Sequence, residues 1–276
     1  MTRRLLAVAL PLTLLVGAAW VMAAPGPRAT RPANERETVI SFVAGGDAMF
    51  GRYYPDGRYR AFAHQRPFRK VRHLIAGHDI AMLNLETPIS AKAYRKPYRG
   101  LTFRAPPRMA KVMRDAGFTV AVTANNHSFD QGNRGALDTL KHLAAAGMGV
   151  TGTGRTPTEA WTPYVFQKRG VKVAVLGVSV LRNYPVKQRS AFWTFVHRRK
   201  IHEELPRRIA AMRSKYDFFV LSIHFGVEYY HTIGRFDRTL IDKCVKAGVD
   251  VLIGHHPHVL RPVIHTGKAV LFFSLG

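Results

Sequence analysis

Cysteine is almost absent from this chain: Cys244 is the only one among 276 residues. An intramolecular disulfide is therefore excluded, and no set of thiolates exists to bind a metal, so packing and oxygen or imidazole ligands must hold whatever is held. Cys244 sits in the helical pattern Thr239–Val245, where a buried, inert thiol is expected. Acidic residues are also scarce, with 17 Asp and Glu against 42 Lys and Arg, a formal net charge of +25. That imbalance favours anionic partners: an anionic polymer, phosphorylated envelope material, lipid head groups or nucleic acid. No nucleic-acid motif surrounds the one interleaved run of aromatics and cations, Tyr94–Arg99, so a specific nucleic-acid partner is not expected, and that run reads as a loop beside the cleft. A dinucleotide fingerprint is missing as well. Gly152-Thr153-Gly154-Arg155 is too short for one and reads as a turn into a helix near Thr158–Ala160. Long apolar runs are lacking after Ala24, so the chain cannot itself form a membrane conduit.

The N-terminus does carry one such run. Thr2-Arg3-Arg4 precedes an apolar stretch from Leu5 to Ala24. A basic start followed by an apolar segment is an export signal. It is long enough to span a bilayer, and Val21-Met22-Ala23 also fits a cleavage site, so anchor and cleaved signal both remain open. Either way the arginines place the rest of the chain outside the cytoplasm, membrane-anchored, periplasmic or secreted. Residues 25–37, Pro-rich and charged, read as a linker, and 38–276 as one α/β domain.

What the domain has in quantity is apolar runs that end in polar residues. Val39–Ala44 leads to Asp47; Ile80–Leu85 to Glu86; Thr119–Thr123 to Asn125, Asn126, His127 and Asp130; Phe218–Ile223 to His224 and Glu228. Val249–Ile253 leads to Gly254-His255-His256-Pro257-His258, three histidines in four positions. Runs of this kind are strands buried on both faces, and helical stretches separate several of them, which predicts a layered α/β fold with a largely parallel or mixed sheet, or a pair of sheets, flanked by helices. Parallel strands open their C-terminal ends onto one edge, so five stretches deliver Asp, Glu, Asn and His to a common crevice. Carboxylate, amide oxygen and neutral imidazole suit Mn, Fe, Zn or a similar divalent ion, and a carboxylate shared between two ions is a usual device for phosphate-ester hydrolysis. Taken singly, each of these residues also fits a strand-end cap. The basic stretch His197–Lys215 fits the solvated side of a helix whose apolar side carries Ile201, Leu205, Ile209 and Met212, with Pro206 expected to kink or divide it.

Six motifs in order, Gly46-Asp47 with Met49 and Arg52, Asn84-Leu85-Glu86, Asn125–Gly132, His224–Tyr229, Gly254–Val259 and Phe273–Gly276, carry a resemblance to the CapA family of poly-gamma-glutamate capsule biosynthesis proteins, itself related to the calcineurin-like metallophosphoesterases. The resemblance covers residues 38–276. It implies Asp47, Glu86, Asn126, His224, His256 and His258 as ligands of one or two divalent ions. It further implies His127 as the general acid, with Asp130 as its orienter. Two departures stand out: the superfamily's Asp-x-His has Met49 at its last position, and Glu86 replaces the bridging aspartate. Glu228 either orients a ligand, acts as a second acid–base group or pairs with an arginine. Arg52, Asn125 and His255, from the same motifs, are candidates to bind substrate.

The implied function is capsule biosynthesis or export with hydrolase-like chemistry, in concert with membrane-embedded synthesis partners. The alternatives are a metal-dependent phosphodiesterase or phosphatase of the envelope and a non-catalytic scaffold for a polyanion. In the family the Phe273–Gly276 motif continues into an asparagine and a further strand or loop, so the domain is expected to extend beyond this sequence.

Overall fold

The computed structural model describes residues 38–54, 58–61, 67–94, 101–183 and 190–276. The N-terminal segment 1–24, the linker 25–37 and most of the Tyr94–Arg99 run lie outside the described residues. Among the described residues no helix is long and apolar enough to cross a membrane.

Along the chain the elements are β1 (Phe42–Ala48), β2 (Gly51–Tyr53), β3 (Tyr59–Ala61), α1 (Arg72–Ile75), β4 (Ile80–Leu85), β5 (Thr102–Phe103), α2 (Arg108–Ala116), β6 (Val120–Val122) and α3 (Gly132–Ala145). They continue as β7 (Gly149–Thr151), β8 (Thr153–Gly154), α4 (Pro157–Trp161), β9 (Tyr164–Lys168), β10 (Val171–Ser179), β11 (Phe192–Trp193) and α5 (Ile201–Arg213). The last are β12 (Phe218–His224), α6 (Arg235–Lys246), β13 (Val251–His255), β14 (Val263–His265) and β15 (Val270–Phe272).

Two sheets dominate. In the first, β1, β4, β6 and β7 lie side by side, all parallel. In the second the order is β14-β15-β13-β12-β10-β9, parallel at its centre with an antiparallel strand at each edge. The expected mixed or paired sheet arrangement is what forms, and its layering follows from side-chain alternation. Phe42, Ile80, Met82, Val120 and Val122 of the first sheet pack in one cluster with Val173, Val175, Val220, Val251 and Ile253 of the second. The intervening residues point outward. Ala81, Leu83 and Ala121 meet α2 through Met109 and Met113, while Phe219, Leu221 and Leu252 meet α5 and α6 through Ile201, Leu205, Ile209, Leu240 and Cys244. The order of layers is therefore helices, sheet, sheet, helices, and β-branched residues fill the flat interface between the sheets. Burying each such side chain contributes about 1.5–3 kcal/mol.

Local chemistry sets the helix ends. Gly117 closes α2 at φ 110°, a left-handed conformation that costs glycine little. Thr156 caps α4 by accepting from the Glu159 N–H at 3.0 Å, so the glycine-containing turn before it is a helix entry. α5 runs on through Pro206 instead of dividing there. Pro206 lies early in the helix, so only the bond its N–H would give to the His202 carbonyl is forgone. Burial pushes the Cys244 thiol up to about 12, in keeping with an inert thiol.

Segments far apart in the chain are tied at the strand N-terminal edge. Asp79 accepts from the Ser41 N–H at 2.9 Å, the Ser41 hydroxyl at 3.1 Å and Lys168 Nζ at 2.7 Å. Burial opposes its charge, but the bonds from Lys168 and Ser41 outweigh it and hold the Asp79 carboxyl below its ordinary value. Lys168 is 37% exposed, so solvent screens its share. A depressed carboxyl contributes stability above its unfolded pKa and loses it as pH falls through the folded one. Asp79→Ala should cost about 1–3 kcal/mol at neutral pH in urea unfolding, and the gap from the parent should close below about pH 4. An equal gap at both pH values would show that the charge is not what Asp79 contributes.

Candidate metal centre and acid dyad

The C-terminal strand edges of the two sheets meet, and alternation decides most of what they present. On β12, Val220 faces the other sheet, so Ser222 and His224 do too; on β13, Val251 and Ile253 do, and so does His255. On β4, Ile80 and Met82 put Asn84 on the same side. Asp47 is the exception. Counting from Phe42 and Ala44, it should point at the helices. The pairing of β1 with β4 shifts register between Ala44 and Asp47, which sets Asp47 opposite Asn84. That one-residue bulge at Gly45-Gly46 turns its carboxylate inward. A side chain at Gly46 would collide with the Gly276 carbonyl, which accepts from the Asp47 N–H at 2.9 Å, so the tight crossing needs glycine there.

Around Asp47 the polar groups interlock. Asn84 Nδ2 donates to Asp47 Oδ1 at 2.7 Å and approaches His224 Nδ1 at 3.2 Å. The His256 backbone N–H donates to Asp47 Oδ2 at 2.9 Å, and His255 Nδ1 and His258 Nδ1 each lie 3.4 Å from its oxygens. Burial opposes the charge of Asp47, yet the imidazoles of His255, His258 and His224 beside it hold its carboxyl well below the usual range. The same bond to Asp47 raises His258. His256 moves the other way, down to about 3, because it is buried beside His224 and His258. It therefore stays neutral and keeps a lone pair to give.

Among the described residues, three sets of side chains bring ligand atoms within 4.8 Å of one another: Glu86, His224 and His256; Asp47, Glu86 and His258; and Glu228, His256 and His258. His224 Nε2 lies 3.4 Å from Glu86 Oε1 and 2.8 Å from Asn126 Oδ1. The Glu86 contact is not aligned as a hydrogen bond: Glu86 Oε1 is buried without a partner, as are His256 Nδ1 and both ring nitrogens of His255. Unpaired buried acceptors cost stability unless something fills the space between them. This donor set of carboxylate, amide oxygen and imidazole fits a divalent ion. The turn also holds strain, with His256 at φ 95° and His258 at 54°, where side chains other than glycine rarely sit.

The second element is a dyad. His127 Nδ1 bonds Asp130 Oδ2 at 2.7 Å, and the Phe103 N–H donates to the same oxygen at 2.6 Å. Phe103 also stacks on the imidazole with centroids 3.8 Å apart. Burial disfavours a charged His127, but Asp130 outweighs it, with Glu86 adding to the effect, and the pKa is raised.

Every implied ligand is thus brought to one edge. The three substrate candidates separate. Asn125 is fully buried, its Nδ2 giving to Asn84 and the Leu85 carbonyl and its Oδ1 accepting from the His127 N–H, so it has no surface left for a substrate. His255 is buried behind Asp47. Arg52 lies on β2, outside the cluster. Glu228 stands at the rim, 46% exposed and 4.0 Å from His256 Nε2. Two asparagines not picked out as site residues from the sequence join in. Asn84 bridges Asp47 and His224, and Asn183 accepts from Asn126 Nδ2 at 2.9 Å while its own Nδ2 lies 3.3 Å from His127 Nδ1. Asn183 follows a sixth buried run, Val173–Val178, whose C-terminal end was the signal for it. A cavity of about 570 Å³ beside β1, lined by Phe42, Phe68, Phe118 and Phe272 among others, holds none of these groups.

Residues 41–276 match the family described as bacterial capsule synthesis protein PGA_cap. The chain belongs to that family. It is 28% identical over 287 residues to the capsule biosynthesis protein CapA of Bacillus anthracis, covering 99% of this chain and 67% of that one. It is likewise 28% identical over 285 residues to the PGA biosynthesis protein CapA of Bacillus subtilis strain 168, covering 98% and 70%. A hypothetical protein of Thermus thermophilus shares the fold, with a TM-score of 0.50 at 11% identity over 86% of this chain and 76% of that one.

Asn84, 0% exposed, is the bridge on which the geometry depends. Asn84→Ala leaves Asp47, His224 and Asn125 short of a partner, and should cost about 1–3 kcal/mol of stability by thermal unfolding. A melting temperature equal to the parent's would show that the bridge carries no weight.

Proposed function

We propose that this capsule-synthesis family member is an exported, metal-dependent enzyme that cleaves or transfers a bond in an anionic envelope polymer, a gamma-glutamyl chain being the first candidate. The observation that carries this is the convergence of Glu86, His224 and His256 within 4.8 Å, two of them with buried, unpartnered ligand atoms, beside the His127–Asp130 dyad. Glu86, His224, His256 and Asn126 would hold one divalent ion, Mn, Fe or Zn, and Asp47 with His258 a second. Bound there, the ion supplies Lewis acidity at the attacked acyl or phosphoryl centre.

The protein groups do the rest. His127 is fixed by Asp130 through Nδ1, which leaves Nε2 to give its proton to the departing atom as the bond to it breaks. Phe103 covers one face of the ring and keeps it oriented. Glu228, open to solvent, is the acceptor for the proton that the attacking hydroxyl gives up. Phosphodiester cleavage is the second reading, favoured by the ligand types. Met49, a poor ligand for a hard ion at the position where the superfamily has histidine, favours a third, a scaffold that binds polymer without turning it over.

Elemental analysis separates these. The parent protein should retain a divalent ion after Mn, Fe or Zn reconstitution. The pair His224→Ala with His256→Ala should lose at least about tenfold in metal affinity, whereas His127→Ala should keep the ion and lose about 100-fold or more in turnover of poly-gamma-glutamate or a generic phosphodiester. No metal above background would remove the enzymatic reading and leave the scaffold, and equal turnover by His127→Ala would show that His127 is not the acid.

The export proposal rests on the Leu5–Ala24 run. With Leu14→Arg and Leu15→Arg the protein should stay in the cytoplasm on fractionation, while the parent is membrane-bound or outside. Parent protein found in the cytoplasm with its first 24 residues intact would overturn it.

A further inference from the structure

Beside the dyad stands a small sheet in the order β3-β2-β5. Its register places Arg52 opposite Arg60 on one side and opposite Phe103 on the other. Directly opposed residues share a face, so Arg60, Arg52 and Phe103 form one row, and Tyr59, Tyr53 and Thr102 the row on the reverse. Because Phe103 is the ring stacked on His127, the row of guanidiniums ends at the acid.

Two like charges placed opposite each other on a sheet are unfavourable. Among the described residues no carboxylate compensates them: neither Arg52 nor Arg60 has an ion-pair partner there, and Arg52 Nε is buried without a hydrogen bond. Both rest on Tyr54 instead, their guanidinium carbons 4.3 and 5.8 Å from its ring centroid. Arg104 nearby shows what a structural arginine looks like, with Nε given to the Tyr53 hydroxyl and Nη1 to the carbonyls of Ser90 and Ala91. Adjacent strands lie about 4.8 Å apart, a spacing at which two planar guanidiniums can grip one oxyanion from both sides.

We propose that Arg52 and Arg60 form an oxyanion subsite that holds a carboxylate or phosphate of the substrate next to the bond at which His127 acts. It rests on the reading of an anionic polymer substrate given above, and makes Arg60 a binding residue that no catalytic motif contains. A charge here fixes the register of a repeating polyanion against the dyad, which the diffuse positive charge of the rest of the surface cannot do.

The test is binding without turnover. Full-length protein in chelator is titrated with fluorescently labelled poly-gamma-glutamate and, separately, with inorganic polyphosphate, by anisotropy at fixed salt. Arg60→Ala should weaken the polymer by about tenfold, Arg60→Lys by less because it keeps the charge but loses the planar fork, and the exposed helix residue Arg238→Ala by no more than about twofold. Weakening of poly-gamma-glutamate alone assigns the subsite to carboxylates; weakening of both polymers assigns it to oxyanions generally. Arg60→Ala binding within about twofold of the parent overturns the proposal, as does an equal loss with Arg238→Ala. So does a lowered melting temperature with unchanged binding, since the stack on Tyr54 is then only a brace for the hairpin. Chelator removes the metal from every arm, so a protein that binds polymer through Arg60 yet turns nothing over fails only the catalytic reading.

Discussion

The carboxylate of Asp47 is the tie between the two sheets at the edge where the chemistry gathers. It takes the Asn84 amide from its own sheet and the His256 N–H from the other, with His255 and His258 against its oxygens. A buried charge of this kind is stable only while its donors stay in place. Holding Asp47 charged therefore holds β1, β4 and the turn after β13 in one arrangement. The positions of His224, Glu86 and Asn126 follow from that arrangement, because each hangs from a strand that Asp47 or Asn84 fixes.

Around this tie the protein keeps its groups in different charge states by environment alone. His256 is kept neutral by burial and by its histidine neighbours, while His127 and His258 are drawn toward the charged form by carboxylates. One part of the cleft thus offers lone pairs and another offers a proton, which is the division that metal-assisted bond cleavage requires. The strained turn at His256 and the orphaned acceptors beside it concentrate the unfavourable terms where a ligand can relieve them.

The net charge of +25 is spread widely, and most of it does not bear on the site. Arg213, for example, serves the Gly248 and Tyr216 carbonyls and Asp250, and Arg208 lies over Trp161 and pairs with Glu204. These are structural or solvated cations, as the helical reading of His197–Lys215 expected. The row at Arg52 and Arg60 differs in having cations stacked and opposed with no ion-pair partner among the described residues, and in ending on the ring that covers His127.

Much of this was legible in the residues. The buried runs, their helical separators and the polar groups that end them determined a layered α/β fold and which polar groups gather at its edge, because burial on both faces demands continuous apolar strands and parallel strands share an open edge. Alternation alone places His224 and His255 inward from Val220 and Val251. It fails at Asp47, where only the bulge at Gly45-Gly46 turns the carboxylate in, and a bulge is set by pairing with a neighbour that lies far along the chain. The same holds for Asn125, whose burial took it away from the substrate, for Asn183, which reaches the dyad from another sheet, and for Arg60, whose partner in the row is fixed by strand register. Sequence determined which chemistry is present, since that is a matter of residue type and period. Tertiary structure decided which groups face one another, since a register shift of a single residue exchanges the two sides of a strand.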